Sequence, residues 1–357
     1  GSEYTHTATG TVVNVTNVET VDYSVASGGP HEITSTETYT GTAGDDVVNV
    51  TGSSISGNDV DLIGGNDTLN VSGGDNDFST YTMGDGTNQI TVDGGGFESN
   101  TITAGTGNDT LSFSSTSTSN EFNSINLGDG SNQVTIDGGS FGAVGANTIT
   151  TGLGDDNFTI AGTNFTNNDV NTGNGNDTIT FTSTSTSNEN NTINLGDGSN
   201  QITIEGDGFG TSGANQITGG SGNDTLTVTA KYFDNNTVNF GTGSDTVTFD
   251  ATSYDSDANT ITLTDGNDEI NLGGSYNSST VINLAGTNNT INQTGTNNTS
   301  TINLNGDAAV NVSGAGTGNT LNLDGTGVSD AITLEGQASD WSINGSEYTH
   351  TATGTVV

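Results

Sequence analysis

The sequence predicts an all-β protein, a right-handed parallel β-solenoid with coils of 21–24 residues and a β-hairpin-like connector at the unit junction. Three observations lead there. A glycine-rich turn returns eleven times with a polar residue in one register, short apolar-polar alternations flank each turn, and hydrophobic residues make up only 28% of the 357 positions. That content is too small for a globular core, and in so acidic a chain it would ordinarily signal disorder. The alternation in Leu111 and Phe113, Ile179 and Phe181, or Leu226 and Val228 is instead the period-two mark of half-buried strands.

The turns set the register. Aligned on the last polar residue of each, they fall at Asp46, Asp67, Asn88, Asp109, Asn132, Asp156, Asp177, Asn200, Asp224, Asp245 and Asp268, in steps of 21 to 24 residues. A longer period overlies the first. GTGNDTLSFSSTSTSNEFNSINLGDGSNQ from Gly105 returns 68 residues later as GNGNDTITFTSTSTSNENNTINLGDGSNQ from Gly173, so three coils duplicated together.

Within a coil the order is strand, turn, strand, arm. At most four apolar side chains point inward per coil, for instance Ile193, Leu195, Ile202 and Ile204. Stacking like coils at the roughly 4.8 Å strand spacing joins those few residues into one narrow core, and eleven rungs would span about 50 Å. Helices are not expected, because Gly, Asn, Thr and Ser dominate and no apolar stripe of helical period appears.

The chain divides accordingly. Residues 1–40 read as a connector or cap, 41–272 as regular solenoid, 273–334 as degenerate coils, and 335–357 as connector again. Asn289 keeps the register without the acid, and Asp330 is the last turn acid expected. Residues 1–13, GSEYTHTATGTVV, are identical to residues 345–357, so the sequence closes on itself with a period of 344. Of a cloning remnant, a periodic fibre repeat and a window cut from a longer tandem array, the tandem array is the reading adopted. Joined tail to head, the ends give a hairpin holding Trp341 and Tyr348, expected to cap open strand edges between consecutive units.

Charge excludes several function classes. The formal net charge is -41, and Lys231 is the one Lys or Arg among 42 acidic residues. Nucleic acid and anionic membranes are therefore not expected as partners. No run approaches the roughly 20 apolar residues of a membrane helix. The start lacks the basic and apolar regions of a signal peptide, so the chain reads as a mature piece or an excised window. There is no cysteine, and stability must come from a staple other than disulfides. Catalysis is not expected: carboxylates abound without one distinguished pair, His6 and His350 are the same repeat position, and no Ser-His-Asp or zinc spacing exists.

The turns AGTGNDTLS from Ala104, TGNGNDTIT from Thr172, GGSGNDTLT from Gly219 and FGTGSDTVT from Phe240 fit the pattern G-G-x-G-x-D-x-U-x in all but the first position. This resembles the calcium-binding nonapeptide of RTX (repeats-in-toxin) proteins, over most of residues 41–272. Glycines expose carbonyls, and one Asp per coil supplies a hard anionic oxygen. The resemblance implies Ca2+ held along a column of Asp46, Asp67, Asp109, Asp156, Asp177, Asp224, Asp245 and Asp268. In the three Asn coils an acid moves to Asp85, Asp129 and Asp197, where either the ligand set changes or the rung is metal-free. Asn-Asp and Gly are also ordinary turn formers, but ordinary turns do not demand an acid at one register in eight of eleven coils.

RTX β-rolls carry a nonapeptide on both sides of a shorter coil, whereas each coil here has one, with a variable arm opposite. That is closer to the ice-binding segment of a giant bacterial adhesin, in which turn Thr and Asn face outward. The matching positions here, among them Thr106, Asn108, Asn174 and Asn176, are mixed elsewhere with Asp129, Leu153 and Asp197, which argues against an ice plane. TNVETVDYS, ending at Ser24, resembles the short segments that close RTX blocks in large surface proteins. The expected function is an extracellular, calcium-stabilised structural repeat at the bacterial cell surface, type I secreted, in a fibre, surface layer or matrix, with itself as head-to-tail partner. The alternative is an extender or ligand-binding region of a giant RTX adhesin.

Overall fold

The computed structural model describes residues 2–6, 11–15, 23–24, 30–250, 257–273, 278–286, 288–294, 299–304, 309–314, 320–325, 331–334, 341–344 and 347–350. Among these residues every regular element is a strand. Two fifteen-stranded parallel sheets run the length of a solenoid. One collects the strands that enter the glycine turns, such as Thr101–Ala104, and the other those that leave them, such as Thr110–Phe113. Each strand pairs with its counterparts one coil earlier and one coil later. Thr110, Leu111, Ser112 and Phe113 lie opposite Gln133, Val134, Thr135 and Ile136, and that register puts like side chains in files.

Alternation does the sorting. Leu111 and Phe113 are at most 1% exposed while Thr110 and Ser112 are half-buried on the outer face. Ile193, Leu195, Ile202 and Ile204 all point inward at 0–1% exposure, as the coil pattern predicts. No coil could bury these residues alone, and stacking supplies the two neighbours that remove them from water.

The arms close the third side. Short pairings such as Ser140–Phe141 with Asn164–Phe165, and Gly208–Phe209 with Tyr232–Phe233, stack the arms of successive coils. Each sends a phenylalanine into the core. Phe97, Phe113, Phe141, Phe165, Phe181, Phe209, Phe233 and Phe249 form a continuous aromatic file with centroid separations of 5.0–5.8 Å. Its geometry repeats with the three-coil duplication. Phe113 meets Phe141 edge-on at 5.0 Å and Phe141 stacks on Phe165 at 5.8 Å, as Phe181 and Phe209, then Phe209 and Phe233, do one duplication later.

The sheets take in Tyr23–Ser24, His31–Ile33 and Thr38–Thr40 at one end, inside the segment expected as connector, and reach Ala331–Leu334 at the other. Beyond them lie antiparallel hairpins. Ser2–His6 pairs with Thr11–Val15, and Trp341–Asn344 pairs with Glu347–His350. The expected turn acid Asp330 lies outside the described residues.

Removing an aromatic rung should be costly. Phe209→Ala is expected to lower stability by about 3–5 kcal/mol, against less than about 1 kcal/mol for Phe78→Ala, whose side chain is 66% exposed. Denaturant unfolding of the two variants at one fixed calcium concentration checks this, and equal losses would contradict the packing assignment.

Candidate metal site

The glycine turn is shaped by its neighbours as much as by its own torsions. Gly107 has φ of +143°, and a Cβ there would overlap the carbonyl oxygen of Gly86 one coil earlier. With side chains excluded at that point, the turns nest closely, and the polar residue that ends each one is drawn inside.

All eight candidate aspartates of the turn register occupy this inner corner. Asp46 is 6% exposed, and Asp67, Asp109, Asp156, Asp177, Asp224, Asp245 and Asp268 are 1% exposed. Each rung's backbone N–H donates to the side-chain Oδ1 of the next. Asp46 N–H donates to Asp67 at 2.8 Å, Asn88 to Asp109 at 2.7 Å, Asp224 to Asp245 at 2.9 Å and Asp245 to Asp268 at 3.0 Å. One carboxylate oxygen per residue is thus spent on holding the stack together.

The second oxygen is the chemically unusual atom. In Asp67, Asp109, Asp156, Asp224, Asp245 and Asp268, Oδ2 is buried with no hydrogen-bond donor. Thr151, beside Asp156, gives its hydroxyl proton to the carbonyl of Thr172 instead. Two rungs differ: Asp46 Oδ2 accepts from the backbone and hydroxyl of Thr42, and Asp177 Oδ2 accepts from Thr172 Oγ1 at 2.6 Å. In the Asn rungs an amide occupies the place of that oxygen. Asn88 Nδ2 donates to the carbonyls of Gly84 and Gly86, and Asn132 Nδ2 to those of Gly128 and Gly130.

Burial without a donor disfavours the charged carboxylate. Desolvation pushes Asp67, Asp156 and Asp268 up to about 6, and Asp245 up to about 7, where the charges of Asp224 and Asp268 add to it. Asp109, Asp177 and Asp224 are raised for the same first reason. The corner therefore calls for a proton or a cation.

Its donor set fits a hard divalent ion: buried, unshared carboxylate oxygens beside turn carbonyls that, in the Asn rungs, already accept from a positively polarised group. Among the described residues no three acidic or imidazole side chains gather at one point. A bound Ca2+ would thus rest on the Asp of the inner column with backbone carbonyls, and it would supply the positive charge the column lacks.

Asp85, Asp129 and Asp197 do not join that column. They are exposed on the outside of the turn, where Oδ1 accepts the backbone N–H of Thr106, Leu153 and Ser221 in the following coil, at 2.8, 2.9 and 2.8 Å. These bonds hold the Asp85 and Asp197 carboxyls below the usual range. The outward positions Thr106, Asn108, Asn174 and Asn176 share this face. A file beside them, including Asp45, Asn66 and Asn108, accepts from the N–H of the next coil, whereas the inner column accepts from the previous one.

The opposite corner holds a second polar column that the motif analysis did not single out. Asn100, Asn123, Asn147, Asn168, Asn191, Asn215, Asn236 and Asn259 are buried and stacked. Asn123 N–H donates to Asn147 Oδ1 at 2.9 Å, and Asn123 Nδ2 donates to the Phe97 carbonyl at 2.7 Å. No buried side-chain atom in this run of eight is without a partner. The signal was present in the recurring Asn ahead of each entering strand, at the same 21-, 23- and 24-residue steps as the aspartates. No family model, curated protein or solved structure matches the chain.

A pH dependence follows with a definite sign. The buried aspartates hold their protons more tightly folded than unfolded, where the ordinary value is near 3.8, so metal-free stability is greatest below that value. It is lost as pH rises through about 6 to 7. Thermal melts in chelator from acid to neutral pH should therefore show a falling midpoint, and a rising one would contradict the burial of the carboxylates.

Proposed function

We propose that this chain is a unit of an extracellular structural protein, a calcium-rigidified β-solenoid repeated in tandem within a fibre, surface layer or cell-surface matrix. One comparison carries the reading. Asn at the far corner, and Asn88, Asn132 and Asn200 at the near one, bridge coils as well as Asp does and leave no buried charge. The acid is therefore not required by the ladder, and its remaining oxygen is accounted for by a cation.

The mechanism follows from charge. Without calcium, some forty uncompensated acids and a column of desolvated carboxylates oppose folding, and the chain stays extended and exportable. Outside the cell, calcium binds the folded form alone and draws the equilibrium toward it. This suits type I secretion. Because each coil touches only its neighbours, repetition extends length and adds no pocket, which suits a structural element and not an enzyme. The partner is a further copy of the same unit, placed head to tail.

Two experiments test this. Circular dichroism in excess chelator should show a coil that calcium converts to β-structure, and a spectrum indifferent to chelator would count against the mechanism. Replacing all eight inner aspartates by Asn should yield a solenoid that folds in chelator and no longer responds to calcium. Retained calcium dependence in that variant would place the ions elsewhere.

A further inference from the structure

The chain carries one segment twice and gives each copy a different neighbour. Residues 345–357 repeat residues 1–13, so Glu347–His350 is the same sequence as residues 3–6. The later copy pairs antiparallel with the strand before it: Trp341 lies opposite His350, Ser342 opposite Thr349, Ile343 opposite Tyr348 and Asn344 opposite Glu347. The earlier copy, Ser2–His6, pairs with the strand after it, His6 opposite Thr11 and Tyr4 opposite Val13.

The two pairings use different edges. Only two residues separate the paired Asn344 and Glu347, and the residues closing so short a hairpin exchange both backbone hydrogen bonds. Glu347 and Thr349 thus turn their backbone groups toward Trp341–Asn344. Successive residues in a strand face opposite edges, so Tyr348 and His350 face the other way. Their equivalents Tyr4 and His6 lie opposite Val13 and Thr11. In the earlier copy, the edge carrying Glu3 and Thr5 is consequently the one with no neighbour in the hairpin.

We propose that this edge of Ser2–His6 is a docking site for Trp341–Asn344 of a second copy of the chain. The result is a three-stranded antiparallel sheet with Ser2–His6 at its centre and the last strand of one unit and Thr11–Val15 of the next at its sides. The occupant is identified by the molecule itself, because Trp341–Asn344 already pairs with the same five-letter run at the other end. Such a joint covers the open edges that each hairpin otherwise exposes. Its biological setting rests on the tandem-unit reading above, where consecutive units would form the same sheet along one polypeptide.

The chain contains no cysteine, so an engineered disulfide reports the pairing without background. The test uses the full chain with Ser342→Cys and Thr5→Cys, which the transferred register sets opposite each other. Thr349→Pro, added to this chain, removes a backbone donor facing Trp341–Asn344 and frees that strand. On oxidation a ladder of linked dimers and higher oligomers is expected, increased by about tenfold or more over the parent. Adding Glu3→Pro, which damages the accepting edge, should abolish it. No ladder, a ladder unaffected by Glu3→Pro, or a disulfide-linked monomer would overturn the proposal. Circular dichroism of the same samples with calcium and with chelator reads the solenoid separately, so a failed joint is distinguished from a failed calcium reading.

Discussion

A file of carboxylates buried along one corner of a rod that has a single strong base is the constraint on which the rest depends. Lys231 lies over the ring of Tyr232 on an arm, and its charge is used there. Every other means of neutralising the file must come from solution. Either protons or metal ions complete the corner, and at neutral pH the desolvated column favours the ion. Folding is thereby tied to the medium in which the chain finds itself.

The two corners divide the work. At the amide corner, each Asn bonds forward to the next Asn and inward to an arm carbonyl, so the column is neutral and complete. At the acidic corner the same forward bond is made, and half of each carboxylate is left over. Between them runs the aromatic file, with inward Ile, Leu and Val on both sheets. The first column supplies register, the core supplies most of the stability, and the second makes both conditional on calcium. Interrupting it with Asn88, Asn132 and Asn200 limits how many acids stand in succession, since two or three aspartates follow one another before an amide intervenes.

Much of this was legible in the sequence because a solenoid's sequence is nearly a drawing of its cross-section. The turn register, the flanking strands and the inward quartet Ile193, Leu195, Ile202 and Ile204 needed only periodicity, and the end hairpins only the repeated segment. What periodicity does not give is direction at a corner, where alternation stops. Asp109 and Asp129 both read as turn acids, yet nesting of the glycines turns one inward and hydrogen bonding to Leu153 holds the other outside. Phe141, Phe165, Phe209 and Phe233 were hidden because their arms resemble polar loops, with one large residue among Gly, Asn and Thr. The amide column went unnoticed because Asn is common throughout the chain, and only its constant phase relative to the strands sets it apart.

The central claim concerns where positive charge sits, and diffraction can see that directly. Crystals grown with calcium and measured at a long wavelength, where calcium scatters anomalously, should show peaks along the inner corner beside the free oxygens of Asp67, Asp109, Asp156, Asp224, Asp245 and Asp268. None should appear at Asn88, Asn132 or Asn200. An inner corner without anomalous density, or peaks confined to the outer acids Asp85, Asp129 and Asp197, would contradict it.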